Sequence, residues 1–280
     1  MAPLLLSLTL SNCRNAMSLN FSPASLFETK DKIVLVTGGA QGLGRMIAEG
    51  FVLGGAKVYI TSRKEEVVTA AEAELRRSGE CVGIVADLSS PEACSALAQR
   101  IRESETRLDV LINNAGRTWG APLETFPDKA WASVMAVNVQ GPFTLVRDLL
   151  PLLKREERGA DPARIINIGS LAGLRAEPLS AFSYASSKAA VHHLSRVLAA
   201  ELAPYGITVN TLIPGYFPTQ MTAHIRGEEE KLSELVERVP LGRMGTAEDV
   251  VGASIMLASR AGAYMTGTEI ILDGGMFGCR

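Results

Sequence analysis

Two side chains that could move a proton stand four residues apart in the stretch FSYASSK, residues 182–188. If this stretch is helical, the Tyr184 phenol and the Lys188 ammonium lie on one face, about 5–6 Å apart at Cβ. A cation beside a phenol favours the phenolate, so the pair predicts a tyrosine that exchanges its proton below its ordinary pKa. The alternative is an amphipathic helix with an ordinary surface lysine.

A second chemical signal is the stretch VLVTGGAQGLG, which reads as a strand, a glycine-rich turn and the start of a helix. Gly38, Gly42 and Gly44 permit a sharp turn and close approach of a ligand. Free N–H groups at the start of a helix attract a pyrophosphate. This context predicts a dinucleotide site that also includes Gln41 and Leu43. The Gly-x-x-x-Gly-x-Gly spacing departs from the more familiar Gly-x-Gly-x-x-Gly.

The end of the second predicted strand, YITSRKEE, indicates which dinucleotide is bound. An acid at this position would bind the ribose 2′-hydroxyl of NAD. This chain has Ser62 and Arg63 there, and a guanidinium can bind a 2′-phosphate through charge-assisted hydrogen bonds. The missing acid favours NADP(H) over NAD(H). The alternative is that Arg63 is a surface residue that starts the next helix.

A regular alternation of strands and helices from Lys32 onward supplies the framework for these residues. Strands without polar alternation, separated by helices, indicate a parallel sheet covered on both faces. We therefore predict one α/β domain over residues 30–280, a doubly wound, Rossmann-type fold with a seven-stranded parallel sheet. The predicted strands are KIVLV, KVYIT, CVGIVAD, LDVLIN, ARIINIG, ITVNTLI and TEIIL.

Ligands of doubly wound folds bind at the carboxyl ends of the strands. Asp87 and Leu88 follow the third predicted strand, and Asn114, Ala115 and Gly116 follow the fourth. We expect these five residues to hold the adenosine half of the cofactor.

Two segments stand apart from the alternation. Residues 1–29 are expected to form a flexible extension; their apolar start, with Arg14 and several serines, would also suit a weak mitochondrial targeting segment, although we expect a cytoplasmic protein. Residues 216–244 form the longest interruption. They predict a substrate lid with a solvated helix in GEEEKLSELVERV.

Composition excludes several classes of function. The net charge of −2 and the lack of a basic block argue against a nucleic-acid partner. No apolar run reaches the length of a membrane span. The four cysteines lack metal-type spacing, and His192 and His193 are adjacent, so they point in different directions on a helix. We therefore expect no metal site.

The ordered set of motifs from about residue 32 to residue 275 resembles the short-chain dehydrogenase/reductase family. The motifs are Thr37-Gly38-x-x-x-Gly42-x-Gly44, Asn113-Asn114-Ala115-Gly116, Ser170, Tyr184-x-x-x-Lys188 and Pro214-Gly215. Within the family the chain is most similar to bacterial 3-oxoacyl-[acyl-carrier-protein] reductases, notably those of rhamnolipid biosynthesis. The stretches AGRTWGAPLE, INIGS and AGAYMTG carry this closer likeness.

The resemblance implies an active site of Asn138, Ser170, Tyr184 and Lys188. Tyr184 would be the acid in ketone reduction and the base in alcohol oxidation, while Lys188 would tune it and bond the nicotinamide ribose. Ser170 would bind the substrate oxygen, and Asn138 would hold a water that links Lys188 to solvent. A buried asparagine needs partners, which supports a functional role. The alternative for Asn138 is a helix-bend residue near Gly141.

The resemblance also assigns residues after the sixth strand. In PGYFPT, Thr219 would contact the nicotinamide carboxamide, and Ile213 would make a backbone contact just before it. Gln41 replaces the basic residue often found in the glycine turn of NADP-dependent members, so Arg63 must decide more of the cofactor preference. Five large residues could line a substrate pocket or pack in the core or lid: Trp119, Leu171, Tyr216, Phe217 and Met221.

These patterns together predict an NADPH-dependent carbonyl reductase, and the resemblance implies a 3-oxoacyl or polyketide-like ketone as its substrate. One alternative is a secondary-alcohol dehydrogenase that acts on a polyol, a steroid or another secondary metabolite. A non-catalytic NADP-binding regulator is another alternative, but such a protein would be expected to have lost part of the active-site set, which is complete here. The glycine spacing argues against a third alternative, a nucleotide-sugar epimerase. The resemblance also implies a homotetramer formed through the long helices and the last strand.

Overall fold

The computed structural model describes residues 21–156, 161–177, 179–219 and 229–279. Seven strands alternate with helices in this part of the chain. The strands are β1 Ile33–Val36, β2 Lys57–Ser62, β3 Cys81–Val85, β4 Val110–Asn113, β5 Ala163–Ile168, β6 Ile207–Pro214 and β7 Glu269–Leu272. The helices are α1 Pro23–Leu26, α2 Gly42–Leu53, α3 Glu65–Leu75, α4 Pro91–Ser104, α5 Lys129–Met135, α6 Gly141–Leu153, α7 Phe182–Leu202, α8 Glu229–Glu237 and α9 Ala247–Ala258.

The strands form a single parallel sheet in the order β3-β2-β1-β4-β5-β6-β7. The order reverses between β1 and β4, which is where doubly wound folds bind their ligands. Helices α2, α3 and α9 cover one face, and α4, α6 and α7 cover the other. The predicted fold class is confirmed, because apolar strands leave both faces to be covered.

Local sequence signals set several helix boundaries. The Ser90 hydroxyl accepts a hydrogen bond from the Ala93 N–H at 3.2 Å at the start of α4, with Pro91 in the first turn. The Asp249 carboxylate accepts from the Thr246 N–H at 2.8 Å and caps α9. Both helix starts thus follow N-cap chemistry, in which a side-chain oxygen accepts a backbone N–H that the helix leaves unpaired.

The helical region from Lys129 to Leu153 is not one continuous α-helix. A π-helical turn, Ala136–Gln140, separates α5 from α6, and the Gly141 N–H bonds the Ala136 carbonyl. Pro142 lacks the N–H that an α-helix would direct to residue 138, so the chain widens there. The turn contains Asn138, one of the predicted site residues.

The predicted lid and extension lie only partly within the described residues. Helix α8 occupies part of the predicted solvated helix, and residues 220–228 lie outside the described chain. The lid therefore stays a prediction. The first 20 residues of the predicted extension also lie outside. No helix in the described ranges combines the length and the apolar character that a membrane crossing requires.

Candidate active site

A cleft of about 840 Å³ opens at the carboxyl ends of the strands. Its volume is typical of a site for a cofactor and a small substrate. Most of the residues that the sequence predicted are brought together in its wall: Gly38, Gln41, Gly42, Leu43, Ser62, Arg63, Asp87, Leu88, Asn114, Ala115, Gly116, Ser170, Tyr184, Lys188 and Thr219. Gly44, Asn138 and Ile213, which the sequence also predicted, are not among the residues that line this wall.

The glycine turn between β1 and α2 presents backbone groups to the cleft. Gln41 is the N-cap of α2 and makes no side-chain capping bond, which leaves the first N–H groups of the helix without a side-chain cap. Gly42 has φ +56°, and a Cβ on it would lie 3.6 Å from the Thr219 Cβ. The start of α2 has free backbone N–H groups, and Gly42 has no Cβ that would keep a ligand away from them. This arrangement fits the pyrophosphate of a dinucleotide.

Gly44 and Asn114 fasten this turn to the neighbouring strand. The Asn114 amide Nδ2 donates to the Thr37 carbonyl at 2.9 Å and to the Gly38 carbonyl at 3.2 Å. A Cβ on Gly44 would lie 2.3 Å from that Nδ2. Gly44 therefore permits the close packing that shapes the turn, and its predicted contact with the cofactor stays a prediction.

Tyr184 and Lys188 lie on one face of α7, as their spacing predicted. The Lys188 side chain is 6% exposed, and its Nζ donates to the Ile168 carbonyl at 2.7 Å. The same Nζ lies 5.7 Å from the centroid of the Tyr184 ring. The end of β5 thus holds the ammonium beside the phenol.

The pKa values correct one prediction. Burial raises the pKa of Tyr184, and its hydrogen bond with the Ser170 side chain opposes that rise. Burial also lowers the pKa of Lys188 to about 8. The predicted lowering of the Tyr184 pKa is wrong for the protein by itself, because the same low-dielectric site disfavours phenolate and ammonium alike.

Ser170 follows β5 and is held on two sides. Its Oγ accepts from the Ala172 N–H at 3.2 Å, so the hydroxyl hydrogen can be donated elsewhere. Its backbone N–H donates to Nε2 of His192 at 3.3 Å. Sequence reasoning missed His192; the available signal was its position, four residues after Lys188 on the same helix.

Asn138 is 3% exposed and has a complete set of partners. Its Oδ1 accepts from the Arg117 N–H at 2.8 Å, and its Nδ2 donates to the Arg117 carbonyl at 2.9 Å and to Ser187 Oγ at 2.8 Å. The amide therefore clamps the loop after β4 against α7. Ser187, which sequence reasoning also missed, donates in turn to the Tyr184 carbonyl at 2.7 Å.

The residues named for the substrate side have different surroundings. Trp119 and Phe217 line the cleft. Leu171 and Ile213 are buried in one apolar cluster, with Tyr216 packed against it. Met221 lies outside the described residues. Across the described ranges, no three His, Cys, Asp or Glu side chains are grouped in a way that could hold a metal ion.

Comparison with known proteins gives the same picture. A family model described as enoyl-(acyl carrier protein) reductase matches residues 38–277. The rhamnolipids biosynthesis 3-oxoacyl-[acyl-carrier-protein] reductase of Pseudomonas aeruginosa is 46% identical over 249 residues, which cover 89% of this chain and 97% of the relative. A galactitol 2-dehydrogenase (L-tagatose-forming) of Cereibacter sphaeroides is 37% identical over 254 residues, 90% of this chain and 97% of the relative.

A solved structure is also similar. The Pseudomonas aeruginosa RhlG/NADP active-site complex has a TM-score of 0.87 and 45% identity, over 90% of this chain and 98% of that chain. This chain therefore belongs to the short-chain dehydrogenase/reductase family of oxidoreductases, as the order of its motifs predicted.

Proposed function

We propose that this chain is an NADPH-dependent carbonyl reductase that reduces the ketone of a 3-oxoacyl or polyketide-like substrate. One observation carries this function: the hydrogen-bonded Ser170 and Tyr184 side chains meet beside buried Lys188, in the same cleft as the glycine turn. Two hydroxyls that can donate to one oxygen suit a carbonyl that gains negative charge.

Each side chain has a distinct task in this reaction. Bound NADPH supplies the hydride. Ser170 and Tyr184 donate hydrogen bonds to the ketone oxygen, and Tyr184 transfers its proton to that oxygen as the C–O bond becomes single. The raised pKa of Tyr184 keeps the phenol protonated at neutral pH, which suits an acid. Lys188 is positioned by the Ile168 carbonyl, where it stabilises the phenolate that remains.

The phenolate must then regain a proton. We place Asn138 in that relay through its backbone, because its side-chain amide is already bonded to Arg117 and Ser187. Pro142 cannot donate the α-helical hydrogen bond to the Asn138 carbonyl, so this oxygen can accept from a water. Such a water would connect Lys188 to solvent.

Arg63 supports the choice of NADP(H). It follows β2 in the wall of the cleft, next to Ser62, where an acid would select NAD. The similarity to a structure solved as an NADP complex supports the same cofactor. Arg63→Ala should raise the KM for NADPH by about 10- to 100-fold through loss of a charged hydrogen bond. The KM for NADH should change little.

Lys64→Ala is the matched control for Arg63, because Lys64 is an adjacent exposed cation that does not line the cleft. It should leave both KM values near those of the parent. An Arg63→Ala enzyme that keeps its preference for NADPH would contradict the assigned role of Arg63.

The substrate class rests on similarity and on the cleft wall. The relative from Pseudomonas aeruginosa reduces 3-oxoacyl groups according to its name, and apolar Trp119 and Phe217 suit an acyl chain. The galactitol dehydrogenase supports a second candidate, a secondary-alcohol dehydrogenase that acts on polyols. A polyol would bury less apolar surface against the exposed Trp119 ring than an acyl chain would.

A substrate panel separates the candidates. Purified protein is assayed at 340 nm with 3-oxoacyl thioesters of increasing chain length, with polyols and with enoyl thioesters, each with NADP(H) and NAD(H). We expect the highest kcat/KM for a 3-oxoacyl thioester with NADPH. Faster turnover of a polyol would favour the second candidate. Binding of NADPH without turnover of any compound, by an enzyme whose Tyr184→Phe variant behaves identically, would favour a regulator.

Assembly, location and the lid are further parts of this proposal. We propose a homotetramer, because Trp131 on α5 and Phe143 on α6 are 40% and 43% exposed, and β7 is an edge strand with Ile271 exposed. We also propose that the protein is cytoplasmic. Light scattering of the parent and of Phe143→Glu tests the assembly, and a fluorescent fusion with and without residues 1–20 tests the location. Limited proteolysis with and without NADPH and substrate tests the lid: the ligands should protect residues 216–244 from cleavage.

A further inference from the structure

Three ionisable side chains occupy successive turns on one face of α7: Tyr184, Lys188 and His192. The first two line the cleft, whereas His192 is 2% exposed and lies behind Ser170. The proposed reaction gives His192 no task. A buried, ionisable group one turn from a catalytic lysine needs a physical explanation.

The imidazole is held in its neutral form. Its Nε2 accepts the Ser170 backbone N–H at 3.3 Å, so this nitrogen carries no hydrogen. Burial, together with the nearby cations Lys188 and Arg196, lowers the pKa of His192 to about 4. Nδ1, which must then carry the hydrogen, has no protein partner among the described residues. The Nε2 contact to Ser170 is therefore the hydrogen bond that orients the ring.

Two glycines make room for the ring on either side of Ser170. A Cβ on Gly169 would lie 2.3 Å from His192 Nε2, and a Cβ on Gly173 would lie 2.8 Å from His192 Cε1. The turn is also fastened to the sheet, since the Gly169 N–H donates to the Leu212 carbonyl at 2.8 Å. The ring thus fills the space between this turn and the helix that carries Tyr184.

We infer that His192 is a positioning residue whose neutral imidazole fixes the Ser170 backbone relative to α7, so that the Ser170 and Tyr184 hydroxyls reach the same substrate oxygen. This role rests on the proposed function, in which Ser170 binds that oxygen. Ser170 Oγ itself is oriented by the Ala172 N–H, from within its own turn, and by its hydrogen bond with Tyr184, so the position of its backbone decides how the two hydroxyls meet. Small displacements of a positioned group can reduce a rate by about 10- to 100-fold.

Substitution of the acceptor tests this role. His192→Met fills a similar volume without a strong acceptor, and His192→Gln keeps an acceptor oxygen at a similar reach. We expect kcat to fall about 10- to 100-fold in His192→Met and to stay within a few-fold in His192→Gln. The Kd for NADPH should stay unchanged in both, because the cofactor wall is untouched. His193→Leu is the control, since His193 is the exposed neighbour.

The kcat values are compared only between variants whose melting temperatures are close to that of the parent. A His192→Met enzyme with the parent kcat would overturn the role, and so would a His192→Gln enzyme that loses as much kcat as His192→Met. If His192→Met does not fold, His192→Leu and the kcat of His192→Gln decide in its place. Ser170→Ala separates the two hypotheses: a fully active Ser170→Ala removes the proposed role of Ser170 itself, whereas an inactive one with an active His192→Met removes only that of His192.

A spectroscopic measurement tests the protonation state. The chain has only three histidines, so ¹⁵N labelling of histidine and the His192→Met and His193→Leu variants assign the signals. We expect one imidazole in the Nδ1–H tautomer that stays neutral down to about pH 5, a signal absent from His192→Met. A His192 signal that titrates near the ordinary pKa of about 6.5 would contradict a fixed neutral ring.

Discussion

The two ends of the parallel sheet both carry charged side chains, and they differ in how those charges are satisfied. At the amino end, Arg155 forms an ion pair with the Asp109 carboxylate at 3.0 Å. The Asp161 carboxylate forms ion pairs with Arg164 at 2.7 Å and with Lys32 at 2.8 Å. At the carboxyl end, the buried Lys188 ammonium donates to an uncharged carbonyl. Opposite charges cancel at one end, whereas a cation remains uncompensated at the other.

This difference favours the carboxyl end as the end that binds a ligand. The amino end also has a cleft, of about 580 Å³ and lined by many charged residues. The presence of a charged cleft therefore does not distinguish the two ends, whereas the pairing of its charges does. Side chains that neutralise one another offer a ligand little electrostatic gain. Burial without an opposite charge lowers the pKa of Lys188 to about 8, which is typical of a functional site. The contrast predicts activity effects at one end and stability effects at the other.

The largest effect is expected from removal of the phenolic hydroxyl at the carboxyl end. Tyr184→Phe should lower kcat by about 10²- to 10⁴-fold, because the ketone oxygen loses its proton donor. Binding of NADPH and the melting temperature should stay close to those of the parent. Steady-state kinetics, cofactor fluorescence and calorimetry measure the three quantities.

Tyr205→Phe is the matched control for Tyr184. Tyr205 is partly exposed at the amino end, where its ring lies 4.3 Å from Lys154 Nζ. This variant should keep full activity. Comparable loss of kcat in both variants would remove the distinction between the two ends.

The second effect is expected at the amino end. Asp161→Asn removes the negative charge that pairs with Arg164 and Lys32. The Arg164 guanidinium is 1% exposed. The free energy of unfolding should fall by about 1–3 kcal/mol, because a buried charged group loses part of its pairing. Urea denaturation measures this change, and kcat/KM should stay within about twofold of the parent, since no catalytic group is touched.

Glu124→Gln, an exposed carboxylate outside both clefts, is the control for charge removal alone. It should leave the free energy of unfolding unchanged. A large loss of kcat/KM in Asp161→Asn at parental stability would show that the amino end is not merely structural.

The smallest effect is a difference in the pH range over which each end loses stability. His192 has a folded-state pKa of about 4, so the unfolded chain binds a proton first as the pH falls below about 6.5. Stability from this residue is therefore present above pH 6.5 and is lost between about 6.5 and 4. Burial acts to raise the pKa of Asp161, but pairing with Lys32 and Arg164 outweighs it and lowers that pKa, so the contribution of Asp161 is lost at lower pH, below about 4.

Urea denaturation across this pH range distinguishes the two contributions. His192→Met should flatten the dependence between about pH 6.5 and 4, and Asp161→Asn should flatten it only below about pH 4. Lys188 and Arg196 face position 192 in the parent and in the His192→Met variant alike, so their charges do not add to the difference between the two profiles. An unaltered profile in His192→Met would contradict a depressed histidine pKa.

The amino-acid sequence by itself determined the parallel sheet, the order of the motifs and most of the cleft wall. These features follow from local patterns. Apolar strands require a sheet buried on both faces, glycines mark the turn after β1, and a four-residue spacing on α7 places Tyr184 and Lys188 on one face. A parallel sheet then brings the residues after each strand to the same edge.

Only the tertiary structure decided how the site residues are held. Ser170 and Asn138 each form a hydrogen bond with a distant residue, His192 and Ser187, which lie 22 and 49 residues further along the chain. The direction of the Tyr184 pKa shift also came from burial, not from its spacing to Lys188. Hydrogen bonds between distant residues and the local dielectric depend on how elements pack, and no local pattern of residue types encodes them.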